Sequence, residues 1–155
     1  MQIINGLKNG KVKTFVIDDS QYLIAFEGFA RAKEKGYDKH TEMFLHFQNL
    51  INFIITQLPE DIIVYFLHHT EITDAGKIIA KTYGKMMDNQ LTLEGLFAIV
   101  LLCDMNETEH YFETQGNGRS TAKSPMGMFD FKIDNDLKLV DTTIRNYYEL
   151  NKEEK

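Results

Sequence analysis

The chain has 155 residues, of which 43% are hydrophobic, 12% aromatic and 26% charged, with a net charge of −6. That length and apolar content suit one domain with a real core and exclude a disordered tail, and the acidic balance argues against nonspecific nucleic-acid binding by the chain as a whole, leaving only a local basic loop for that role. The single cysteine, Cys103, rules out an internal disulfide framework and suits a reducing compartment, no apolar run approaches the ~18–20 residues that span a bilayer, and the opening MQIINGLKNGK carries no secretory core, so the expected location is the cytoplasm with no membrane partner.

In chain order, Gly6-Leu-Lys-Asn-Gly10-Lys11-Val12 invites comparison with a phosphate-binding loop. Three residues separate its glycines where that motif has four, Val12 stands where a magnesium-binding Ser or Thr belongs, and the next element is a strand instead of a helix. The segment reads as a turn. The strand is Lys13-Thr-Phe-Val-Ile-Asp-Asp-Ser20, an uninterrupted apolar run that ends in two carboxylates. Fully buried parallel strands read this way, and their C-terminal ends are where open α/β sheets place ligands. There Asp18 is the residue to support a Mg²⁺ through its water and Asp19 the residue to orient a nucleophile. The competing reading is an acidic strand-to-helix turn with Asp19 or Ser20 as a helix cap.

A helix follows, with Tyr22, Leu23, Phe26, Phe29 and Ala30 on one stripe, Ser20 at its N-cap and Gly36 at its stop. A second helix is expected over Asp38–Leu58, with Phe47, Leu50, Phe53, Ile54 and Leu58 at helical spacing, Met43, Phe44 and Ile51 widening the face, and Pro59 ending it. Ile62 to Leu67 is a second continuous apolar strand, parallel to the first by a right-handed crossover. It ends in His68-His69-Thr-Glu71, so two neighbouring strands finish in residues capable of chemistry. A histidine there can sense a phosphate or hold an attacking water. Adjacent histidines on an extended chain point in opposite directions, which disfavours a shared metal.

Residues 71–92 are polar and glycine-punctuated and read as a long functional loop or a loop with a short helix. Leu96–Cys103 reads as a third apolar strand, Asp104–Glu109 as a turn, and His110–Thr114 as the returning strand of a hairpin. The stretch 115–127, with three glycines, Arg119 and Lys123, reads as an exposed basic loop able to approach an anion or DNA. Phe129–Ile133 is an expected edge strand. Asn135 is the expected cap of a final helix carrying Leu137, Val140, Ile144, Tyr147 and Tyr148 on one face, and 151–155 is a charged tail.

Taken together, FVIDDSQYLI, KEKGYDKHTEMF, IIVYFLHHTE, KTYGKMMDNQLTLEGLF and YFETQGNGRSTAKSPMGMF resemble the phage-encoded RecA-like, AAA-type P-loop ATPases associated with recombination, over nearly all of residues 13–148. The resemblance implies an α/β fold in which a mostly parallel RecA-like sheet is flanked by helices, with a C-terminal β-hairpin and final helix, in a single domain over 1–150. It implies ATP and Mg²⁺, a role in DNA recombination or replication in a phage-infected or prophage-carrying cell, and rings or filaments. By position it places Asp18 and Asp19 at the Walker B site, His69 at the strand-tip sensor, and Arg119 and Lys123 on the basic loop that reaches a neighbour's nucleotide.

The sequence departs from that pattern at its front. Family members open with strand, Walker A loop and helix, a unit of roughly 30 residues or more, and no GxxxxGK[ST] stands anywhere in this sequence. Two expectations follow from different classes. One is an ATPase core part, inactive alone, that needs its other half. The other is a non-enzymatic phage interaction or inhibitor protein on a truncated RecA-like scaffold that binds a host or phage protein, such as a defence or DNA-processing enzyme. Both expect self-association or a protein partner, because the missing unit would leave apolar surface bare.

Overall fold

The computed structural model describes residues 12–36, 38–82 and 92–150. The readings made above for 1–11, for 83–91 and for the tail 151–155 lie outside the described residues. Among the described residues the fold is mixed α/β, with three helices and three small sheets of two or three strands. The chain clusters into two compact units, one formed by Met1–His69 with Lys81–Thr92 and the other by Thr70–Ala80 with Leu93–Lys155.

In the first unit β1 (Thr14–Ile17) pairs in parallel with β2 (Ile63–Phe66), in the register Thr14–Ile63 to Ile17–Phe66. The crossover contains α1 (Gln21–Ala30) and α2 (Asp38–Gln57). The expected parallel pair is therefore present: β1 matches its run Thr14–Ile17, and β2 is one residue shorter at each end than the run Ile62–Leu67. Helix α2 buries Met43, Phe47 and Ile51, one residue per turn on a single face. Phe47 meets Phe66 of β2 edge-on, with ring centroids 6.2 Å apart.

Helix α1 corrects the sequence reading. Its buried residues are Ile24 and Gly28, whereas Tyr22, Leu23, Phe26 and Phe29 are exposed, Phe26 and Phe29 by 64% and 65%. The helix approaches its neighbours through its small face and turns its aromatic stripe outward. It also ends at Ala30, six residues before Gly36, whose φ of +103° marks the later turn. Arg31, just past the helix, draws in Glu34 and Glu27 and reaches Glu42 of α2, which ties the ends of the two helices together.

In the second unit β3 (Thr70–Ile72) and β4 (Ile78–Ala80) form an antiparallel hairpin where a long loop was expected. The turn is closed locally: Thr73 N–H donates to the Lys77 carbonyl, Gly76 N–H to the Thr73 carbonyl, and Lys77 N–H to the Thr73 hydroxyl. The strand expected over Leu96–Cys103 is also corrected. Leu93–Leu96 is a 3₁₀ turn, and the strand β5 is Leu102–Met105. Glu94 decides this: it is 7% exposed and its Oε1 accepts from Ala80 N–H and the Thr121 hydroxyl, both at 2.7 Å. A buried carboxylate with two donors outweighs the strand propensity of the residues beside it.

β5 pairs antiparallel with β6 (His110–Glu113), as the expected hairpin, and β6 with β7 (Lys132–Asp134), which takes the edge. Helix α3 (Leu137–Tyr147) buries Val140 and Ile144, as its spacing predicts. Its cap is Asp136 instead of Asn135, because the Asp136 carboxylate accepts from Lys138 and Leu139 N–H.

Candidate functional site

The parallel register puts the ends of β1 and β2 side by side, Ile17 opposite Phe66. Leu67 N–H donates to the Ile17 carbonyl and Ser20 N–H to the Leu67 carbonyl, so the two exits stay bonded beyond the sheet. Asp18, Asp19, His68 and His69 thus lie at one sheet edge on adjacent parallel strands. This is the geometry the sequence reading requires of a strand-tip site.

The two histidines divide, as their alternation predicts. His68 turns to Ser20: its Nδ1 is 2.8 Å from the Ser20 hydroxyl, and its Nε2 is 2.7 Å from the Lys81 carbonyl. A carbonyl only accepts, so Nε2 carries the hydrogen. Ser20 is fully buried and its hydroxyl also lies 3.0 Å from the Leu67 carbonyl. That corrects its expected part as a capping side chain: it stands at the N-cap position of α1 but makes no cap bond, its hydroxyl being spent across the strand tip. The connectivity is that of a nucleophile, a base and an orienting acceptor. Ser20 has no access to a substrate, so the set is a clasp.

His69 turns to Asp19. Its Nε2 lies 2.9 Å from Asp19 Oδ1, with the two side chains 55% and 54% exposed. The His69 backbone N–H donates to Gln21 Oε1, and its ring stands edge-on to Tyr22 at 6.3 Å. Asp19 has a φ of +49°, a left-handed conformation that Asp tolerates better than most residues. Asp18 is exposed and takes no hydrogen bond from another described residue.

Among the described residues no group of three or more His, Cys, Asp or Glu side chains could hold a metal. Magnesium needs only one or two carboxylates when phosphates supply the remaining contacts, and Asp18 is the uncommitted one. A cradle for those phosphates is not formed by the described residues, so the site does not fit a nucleotide by itself.

Arg119 and Lys123 belong to the second unit. The 115–127 stretch is pinned, not a bare loop: Ile78 N–H donates to the Arg119 carbonyl at 2.8 Å, Val100 and Lys123 exchange two backbone bonds of 2.8 Å, and Gly116 N–H meets the Ala122 carbonyl at 2.6 Å. A Cβ on Gly116 would stand 2.5 Å from the Ser120 carbonyl oxygen, so only glycine fits there. Ser120 and Ala122 are each 6% exposed. Lys123 is half-buried, not exposed as the basic-loop reading expects. Arg119 is held by its own unit: its Nη2 reaches Asp104 on β5 and, at 2.8 Å, Glu113 on β6. The guanidinium, with the Met105 N–H second, holds the Asp104 carboxyl below the usual range, and Asp104 and Glu113 in turn push Arg119 upward. Glu113 is 7% exposed and its Oε2 is buried with no partner among the described residues.

The sequence reading missed the Ser20–His68 clasp, Glu94 and the Asp104–Glu113 pair around Arg119. A signal existed for the last: Glu113 is a carboxylate that directly follows the aromatic pair Tyr111-Phe112 and shares the strand face of Tyr111. Comparison with protein-family models, with curated proteins and with solved structures finds no match. Among the described residues no helix is long and apolar enough to cross a membrane.

Proposed function

We propose that this chain is the core part of a RecA-like, phage-type ATPase that serves DNA recombination or replication, and that it does not turn over ATP by itself. The observation that carries the reading is the parallel pairing of β1 and β2 with Asp18-Asp19 and His68-His69 at one edge. Open α/β sheets bind ligands at that edge. A strand-tip carboxylate beside a tip histidine is what phosphoryl-transfer sites use for metal and water. The working assembly needs a phosphate cradle of the GxxxxGK[ST] kind from outside the described residues, and ATP and Mg²⁺ enter with it. The 115–127 segment, with Arg119 and Lys123, is the part of this chain that would meet DNA or a neighbouring subunit. Its cellular setting on this reading is the cytoplasm of a phage-carrying bacterium.

The expected result is no steady-state ATP hydrolysis by the purified chain, and hydrolysis when a partner bearing GxxxxGK[ST] is added, lost again in His69→Gln. Turnover by the chain alone that vanishes in Asp19→Asn would overturn the first half. An inert mixture with every such partner would remove the ATPase reading.

A second reading, a non-enzymatic interaction protein, is favoured by the aromatic face of α1. Tyr22, Leu23, Phe26 and Phe29 are 40%, 46%, 64% and 65% exposed. With aromatic side chains presenting about 150–250 Å² each, they expose an apolar patch on the order of 400 Å², near the upper end of what monomers leave bare. On either reading that face is covered in the working state. Light scattering over a dilution series should show self-association that Phe26→Ser with Phe29→Ser abolishes. A monomer at every concentration that also fails to bind the apolar dye ANS would refute this.

A further inference from the structure

We infer that the proton acceptor of the strand tip is His69, through its Nδ1, and that Asp19 is a positioning residue whose carboxylate fixes the tautomer of that ring. The inference rests on the strand tip being the working end of the molecule, as proposed above, and it reverses the role that sequence position gives Asp19. An ionised carboxylate only accepts hydrogen bonds. The nitrogen facing Asp19 Oδ1 at 2.9 Å is Nε2, so in the neutral ring Nε2 carries the hydrogen and Nδ1 carries the lone pair. Among the described residues that Nδ1 takes no hydrogen bond, and the side chain is 55% exposed. Gln21 Oε1 accepts from the His69 backbone N–H and holds the chain there, while the ring itself is placed by Asp19 Oδ1 and by its T-shaped contact with Tyr22.

Asp19 cannot serve equally well. Its Oδ1 is engaged by the ring, which leaves only its other oxygen open, whereas Asp18 has both. His68 is excluded for a different reason: both its nitrogens are taken, by Ser20 and by the Lys81 carbonyl. The tip therefore offers one carboxylate free for a cation, Asp18, and one ring nitrogen free for a proton. The substrate class this suits is a water or hydroxyl attacking an anionic electrophile. As the oxygen attacks, its O–H bond breaks and the hydrogen passes to Nδ1. The bond's electron pair stays on oxygen and forms the new bond to the electrophile, while the electrophile's bond to its leaving group breaks and that group departs with the bonding pair. The positive charge on the ring is then offset by the Asp19 carboxylate, the arrangement that an orienting acid gives a histidine base.

The experiment is nitrogen NMR of the full chain labelled at its histidines, without nucleotide, above the pH at which imidazole is protonated. His69 is assigned by its loss in His69→Gln. In the wild type, Nε2 should be the hydrogen-bearing nitrogen by a ratio about tenfold above that of an unstructured histidine, as a charge-assisted bond gives. Asp19→Ala should return the ratio to the unstructured value while His68 keeps its own signature, which shows that the fold survives. Diethyl pyrocarbonate, which attacks an unprotonated ring nitrogen, should modify His69 at least about tenfold faster than His68. A hydrogen on Nδ1 of His69, or a ratio unmoved in Asp19→Ala, would overturn the inference. Because no nucleotide is present, this outcome is separate from the fate of the ATPase reading, which the partner-addition assay decides.

Discussion

Replacing Phe47 with alanine should destabilise the first unit by about 3–5 kcal/mol, the range for removing a buried aromatic side chain. Phe47 is 4% exposed and stands at the middle of the Met43–Phe47–Ile51 face of α2, against Phe66. Phe66 is the last residue of β2, and Leu67, His68 and His69 follow it directly. The cavity would therefore open beneath the strand tip. Small domains hold only about 5–15 kcal/mol in total, so the loss should be visible both in urea unfolding and as faster amide exchange at Val64–Phe66. Ile55→Ala, on a residue 64% exposed, is the control and should stay within about 0.5 kcal/mol. A Phe47→Ala loss below about 1 kcal/mol would show that this face does not support β2.

Where one physical signal dominated, the elements were legible in the sequence. The runs Thr14–Ile17 and Ile62–Leu67 are continuous, β-prone and closed by polar residues, and their strands form a parallel pair. Helix α2 combines a long 3.6-residue period with a proline stop, and it buries Phe47 of the expected stripe together with Met43 and Ile51 of its widened edge, leaving Leu50, Phe53, Ile54 and Leu58 half-buried. Helix α1 has an equally clear stripe that faces outward. Amphipathicity names a face but does not say what covers it, and here Ile24 and Gly28 allow a closer approach than Phe26 and Phe29 would. The β3–β4 hairpin and the 3₁₀ turn were illegible because distant polar groups settle them: Glu94 bonds Ala80 and Thr121, which lie 14 and 27 residues away in sequence.

The site shows the same division. Which residues gather at the strand tip could be read from strand ends and parallel order. Which carboxylate meets which histidine could not, because it depends on a left-handed turn at Asp19 and on the Ser20 hydroxyl crossing to Leu67 and His68. Arg119 and Lys123 were read as a basic pair because they stand close in a glycine-rich segment. Their partners come from β5, β6 and Val100, and those partners set them apart: Arg119 is an ion-pair centre, and Lys123 is anchored by its backbone.

Arg119→Ala should accordingly act first on the fold of the second unit, before any effect on a ligand. Glu113 is 7% exposed, one of its oxygens already lacks a partner among the described residues, and Arg119 serves the other. Without the guanidinium a nearly buried carboxylate keeps its desolvation cost and loses its counter-charge, which costs about 1–3 kcal/mol. The lower part of that range is expected, because Arg119 itself is 42% exposed and water can move in. Asp104, deprived of the same partner, lies across the sheet from the chain segment carrying Glu113 and adds like-charge repulsion. Glu113→Gln should therefore rescue much of the loss, and the double-mutant cycle should give a coupling of about 1 kcal/mol or more. The acid limb carries a sign that can be checked. Arg119 depresses the folded-state carboxyl of Asp104, so the stabilisation is present above the ordinary carboxylate range and is lost as pH falls through the depressed value. Arg119→Ala should flatten that acid dependence, and its destabilisation should shrink in acid as Asp104 takes up its proton. Equal unfolding free energies for Arg119→Ala and the wild type at neutral pH, or a penalty unchanged by Glu113→Gln, would show that the cluster is a solvated surface pair.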